Sequence, residues 1–249
     1  MPHLGAAAIN RWLSGSSGNQ NTSNILNSYQ TSIIRPALEA DSIGMLYSAS
    51  ITFLDAIRGM QGGYFSWSIV KLYYSSFYSV RALLGGHLIA IFYLPGKGTP
   101  YSLHVVDGNS PRREKGTTHK VVWKILERDL PNNPVMGTID NNVAHEWLMA
   151  LREDANYRTP KFPDPSVPNY FSEIDKNGLV NTLNIYANDK SNLYAFDKDH
   201  ASVAYPLECL RHSRKALANL SLKLEDDDEE YLSSCLESLK ISNEFFIKL

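Results

Sequence analysis

WSIVKLYYSSFYSVRALL, residues 67–84, has the spacing of an amphipathic helix. Val70, Tyr73, Tyr74, Phe77, Val80 and Leu84 recur at steps of three and four and so share one face. Arg81 follows Tyr74 by seven positions and Phe77 by four, which places it on or beside that face. A guanidinium there leaves water without ever losing its charge. A lone buried charge is costly, so the spacing predicts an anionic partner for Arg81. That partner is either a carboxylate of the same fold or a phosphate that visits.

Working outward, the segment 36–60 is helical in pattern, with Pro36 suited to a first turn and Gly62-Gly63 closing it. Residues 14–32 are rich in Ser, Asn and Gly and read as a loop or linker after a short N-terminal helix. Beyond Gly85-Gly86 the period changes. HLIAIFYL (87–94), the turn material LPGKGTP (94–100) and YSLHVVD (101–107) predict a β-hairpin, the rival being a helix continued through 94. GNSPRREKG (108–116) reads as an exposed basic loop, and Thr118 as the N-cap of a helix from His119 to Asp129. Further helices are expected over 140–157, 203–224 and 231–249, with a four-proline extended loop at 159–170 and no clear assignment for 174–198. The acidic run 225–230 reads as a solvated turn whose charges favour a helix N-terminus. The expectation is an all-α helical bundle with a β-hairpin insertion around 87–107. Residues 1–35 form an N-terminal helix and flexible linker. Residues 36–249 form the helical domain, with its insertion at 87–116.

With 249 residues, 43% apolar and 20% charged, the chain is globular rather than disordered. A net charge of −2 confines any polyanion site to a local patch. Cys209 and Cys235 have no C-x-x-C spacing, which fits a reducing compartment and argues against a thiolate zinc site. His104, His145, His200 and His212 show no mutual metal spacing, so no metal or cofactor is expected. The longest apolar run, Leu88 to Leu94, is too short for a bilayer, and the start lacks a secretory pattern. The expected location is cytoplasmic, without a membrane anchor.

Three strings stand in order: KLYYSSFYSVRALL (71–84), TTHKVVWKIL (117–126) and LMALREDANYR (148–158). The ordered set resembles the HEPN superfamily (higher eukaryotes and prokaryotes nucleotide-binding), covering residues 40–158 and a closing helix at 200–224. The resemblance implies an all-α up-and-down bundle, a homodimer, and in many members a metal-independent endoribonuclease of toxin or phage-defence type. The family's nuclease signature is an Arg, four to six residues, then a His. Here Arg81 and His87 are separated by ALLGG. Cleaving RNA without metal needs a proton acceptor, a proton donor and a fixed positive charge on the phosphate. Histidine and arginine supply these. His119, matching the family's Thr-His step, is a second catalytic candidate kept neutral by its helix N-terminus. Its structural alternative is to bond a backbone group at the loop entry. Ala82 stands where family ribonucleases carry a polar residue, and Ile89 where many toxins carry Tyr. Gly85-Gly86 is expected to break the helix between Arg81 and His87, so that helical spacing does not set their geometry; a step of six on an intact helix would also set them well apart around the axis. The alternative is a non-catalytic HEPN-like module that dimerises, binds nucleotide or RNA, and acts with a partner such as a nucleotidyltransferase.

Residues 112–128 hold Arg112, Arg113, Lys115, Lys120, Lys124 and Arg128 against Glu114 and Glu127, a local excess of four positive charges. Such a patch could guide an RNA backbone, with Tyr93 and Tyr101 stacking bases, or could be a solvated loop and helix face. Glu153 or Asp154 is a candidate internal partner for Arg81. Arg211, His212, Arg214 and Lys215 form a basic turn expected to face solvent.

Overall fold

The computed structural model describes residues 3–15 and 21–246. The described residues form ten α-helices, a three-stranded sheet and a two-stranded sheet. In chain order these are α1 (Leu4–Ser14), α2 (Ser28–Gln61), α3 (Phe65–Gly86), β1 (Ile89–Tyr93), β2 (Pro100–His104), β3 (Arg112–Arg113) and α4 (Thr118–Asp129). Then follow β4 (Thr138–Ile139), β5 (Asn142–Val143), α5 (Ala144–Glu153), a π-helical turn (Asp154–Arg158), a 3-10 turn (Asn169–Phe171) and α6 (Ser172–Asn177). The chain continues through α7 (Leu179–Asn188), α8 (Leu193–Phe196), α9 (Ala201–Asn219) and α10 (Asp226–Ser238). The fold is mostly helical with a β element after the glycines, as the periodicity predicts.

The chain divides into two compact units. The first comprises residues 1–45, 80–131 and 216–223. Its core joins Ile9 and Leu13 of α1, Leu26, Ile34 and Leu38 to Ala90, Phe92, Leu94, Tyr101, Leu103 and Val105 of the hairpin. The sheet order is β1-β2-β3, all antiparallel, with Ile91 opposite Ser102 and Tyr101 opposite Arg113. Two expectations are corrected here. The helix expected from Pro36 begins at Ser28, and Pro36 lies inside it. Burial of Ile34 against the hairpin extends helical structure into the polar stretch; residues 16–20 of that expected loop lie outside the described residues. The expected basic loop contains strand β3, because β2 offers it a free edge.

The second unit comprises residues 46–79, 132–215 and 224–249. The helix expected over 140–157 is shorter, running Ala144–Glu153. Asp140 and Asn141 take φ of 49° and 64° and close the β4-β5 hairpin ahead of it. Asp and Asn tolerate this left-handed turn geometry. Val143, just ahead of α5, is 38% exposed. The unassigned stretch 174–198 supplies α6, α7 and α8. The last helix begins inside the acidic run, with Asp226, Asp227, Asp228 and Glu229 in its first turn, and ends at Ser238. The closing helix α9 ends at Asn219, short of the expected 224.

Candidate nucleic-acid interface

Residues of α3 separate into two stripes. Val70, Tyr73, Phe77, Val80 and Leu84 are buried. Lys71, Tyr74, Tyr78 and Arg81 are only partly covered. Arg81 thus stands at the border of the core rather than within it. It lines a small pocket of the first unit with His3, Leu38, Asp41, Ser42 and Met45. Both carboxylate oxygens of Asp41 accept backbone N–H groups of α1, from Leu4 at 2.8 Å and Gly5 at 2.9 Å. Partial burial and the Arg81 charge lower the His3 pKa against an opposing effect of Asp41. Arg81 is itself engaged, not a free guanidinium.

Gly85 and Gly86 do not break α3, which runs through Gly86. They are small because neighbours press on them: a Cβ on Gly85 would strike the Ser42 hydroxyl, and one on Gly86 would lie 3.0 Å from Leu217 Cδ1. The six-residue step from Arg81 to His87 therefore turns them about 120° apart around the axis. His87 is exposed, does not line the Arg81 pocket, and has its pKa lowered by partial desolvation and then by His104. Within this chain the two are not brought into one cleft. His119 is half-buried in the first turn of α4, and it too is engaged.

The basic stretch has an acid at its centre. Glu114, 2% exposed, accepts hydrogen bonds from Ser102 Oγ at 2.7 Å and Arg128 Nη1 at 2.8 Å. Lys124 and Arg112 approach it at 3.9 and 4.0 Å. Burial would push the Glu114 carboxyl up, but the bonds from Arg128 and Ser102 and the surrounding cations hold it below its ordinary value. Arg128 also clasps Asp129 through two 2.7 Å bonds. Of the five predicted RNA contacts, Arg112 and Lys124 are thus partly neutralised. Arg113, Lys115 and Lys120 are exposed and have no acid within ion-pair distance among the described residues. Tyr93, 38% exposed, is fixed beside them by a 2.5 Å bond between its hydroxyl and Thr118 Oγ1. Tyr101 is 8% exposed and stacks on Phe92, so it does not offer a face to a base.

In the second unit the partner proposed from sequence for Arg81 is occupied elsewhere: Arg158 takes Glu153 at 3.7 Å and Asp154 at 2.8 Å. Arg152 sits among the rings of Tyr73, Tyr74 and Tyr157, its guanidinium carbon 5.3–5.7 Å from their centroids. This arrangement escaped the sequence reading, although the paired tyrosines of α3 carried the signal for it. Another cavity, of about 640 Å³, is lined by Lys190, Arg211, His212 and Lys215 with Asp189 and Glu208. The expected solvent-facing basic turn is corrected here: Arg211 is 15% exposed, held by Glu208 at 2.7 Å and the Asp189 carbonyl at 2.8 Å. Arg214 is also tied down, to Glu229 at 2.8 Å and over the Phe246 ring.

Among the described residues no group of His, Cys, Asp or Glu is arranged to hold a metal ion, and no helix is long and apolar enough to cross a membrane. The chain matches no protein-family model, no curated protein and no solved structure.

Proposed function

We propose that this HEPN-like chain is a non-catalytic RNA-binding module of the first unit, working as a homodimer or with a partner such as a nucleotidyltransferase. The observation that carries it is the exposed, uncompensated set Arg113, Lys115 and Lys120 beside the anchored ring of Tyr93. Ammonium and guanidinium groups bind phosphate without reading sequence, and an exposed tyrosine face accepts any base. The separation of Arg81 from His87 around α3, and the engagement of Arg81 within its own fold, favour binding over cleavage.

The test titrates a labelled single-stranded RNA by anisotropy at several salt concentrations. The combined variant Arg113→Ala, Lys115→Ala, Lys120→Ala is expected to flatten the log–log salt slope by about 2. Tyr93→Ala is expected to weaken binding by about 1–3 kcal/mol with the slope unchanged. Undiminished binding by the triple variant rejects this surface. RNA cleavage in EDTA, lost in both Arg81→Ala and His87→Ala, replaces the proposal with the ribonuclease reading, toxin or defence effector included.

A further inference from the structure

Arg152 presents the problem first posed by the sequence at Arg81: a partly covered guanidinium with no carboxylate beside it. It is partly buried at the end of α5, where the backbone passes into the π-helical turn Asp154–Arg158. Among the described residues no carboxylate lies within ion-pair distance of it. The nearby acids are taken by other cations, Glu153 and Asp154 by Arg158, and Asp55 by Lys71 at 2.6 Å. What remains is one hydrogen bond, Nη2 to the Tyr74 hydroxyl at 3.2 Å, and three tyrosine rings. Its Nε is sealed from solvent with no acceptor. Ring faces attract a guanidinium but leave its N–H edge unsatisfied, and that planar edge matches two oxygens of a carboxylate or phosphate. Tyr74 is shared between this cage and a pocket of about 300 Å³ that it lines with Ile51, Thr52, Tyr78 and the ion pair of Asp55 and Lys71, while Arg152 itself does not line that pocket. That volume suits a small ligand body.

We propose that Arg152, caged by Tyr73, Tyr74 and Tyr157, is an oxyanion-binding site for a small ligand that carries a carboxylate or a phosphate on an aromatic or apolar body. The ligand body rests against Tyr74 and Tyr78, and its oxyanion completes the guanidinium. Tyr157, 72% exposed, forms the outer wall.

Three probes separate the contributions: benzoate, phenyl phosphate and neutral benzamide, each titrated into the full chain at constant ionic strength. The readouts are calorimetry and the NMR resonance of the Arg152 Nε–H, assigned by its loss in Arg152→Lys. At least one anion is expected to bind about tenfold more tightly than benzamide and to shift that resonance saturably. The tighter of the two anions identifies the oxyanion. Arg152→Lys keeps the charge but loses the fork, and should weaken binding about tenfold. The exposed Tyr157→Ala, which leaves the buried rings in place, should weaken it about threefold. Equal affinity for all three probes, or anion binding unchanged in both variants, overturns the site. The Arg113, Lys115 and Lys120 variant should bind these anions as wild type does, so this inference and the RNA-binding proposal fail independently.

Discussion

At Gly85 the packing leaves room for a hydrogen and nothing more. The Ser42 hydroxyl pointing at it is buried and bonded to the Leu38 carbonyl at 2.9 Å, so it cannot swing aside without losing that bond. An alanine there would gain about 1 kcal/mol of helix propensity and lose about 1–3 kcal/mol to overpacking. Gly85→Ala is therefore expected to destabilise by about 1 kcal/mol net, and a Ser42→Ala background should recover most of it. Gly44, exposed on α2 with open space around its α-carbon, carries the gain without the clash. Gly44→Ala should stabilise by up to about 1 kcal/mol. Urea titrations of the four variants check both signs. The two arginines make the same point about surroundings. Arg81 and Arg152 are the same residue type at partly covered positions, yet Arg81 is found with Asp41 and His3, and Arg152 with three rings.

For the β3–α4 pair, the element forms around a buried acid. The Glu114 backbone N–H bonds the Pro100 carbonyl at 2.9 Å, and its side chain reaches back to Ser102 and forward to Arg128. A string read as loop becomes a strand because three separate segments meet at one carboxylate. The folded-state pKa of Glu114 lies below its ordinary 4.5, so its contribution to stability is present above that value and is lost as pH falls below it. Asp129, lowered chiefly by its bonds from Arg128, acts in the same direction. Arg128→Gln should cost about 2 kcal/mol near neutral pH, leaving a buried acid with fewer donors, and should flatten the acid limb of stability. Denaturant titrations between about pH 6 and about pH 3 measure both effects.

Across the whole molecule, acid sensitivity has a second source in His145 of α5. Burial holds its pKa down to about 4, against an ordinary 6.5. The unfolded chain takes up a proton below 6.5 while the folded one resists until about 4. Its contribution is therefore complete above 6.5 and falls by at most about 1.4 kcal/mol per pH unit between those values. His145→Gln should remove that slope from the thermal stability of the chain while leaving the Glu114 limb below it. What the sequence determined by itself was local. Steps of three and four predicted α3, a capping threonine predicted α4, and the turn material at 94–100 predicted the hairpin, because hydrophobic period, caps and turn chemistry act within a few residues. Only the tertiary structure decided the charges. It set Glu114 against Arg128 fourteen positions away and placed Arg152 beside Tyr74 seventy-eight positions away. It also carried α3 straight through two glycines and so parted Arg81 from His87. A side chain's partner, and with it the worth of its charge, depends on which distant segments share its low-dielectric surroundings.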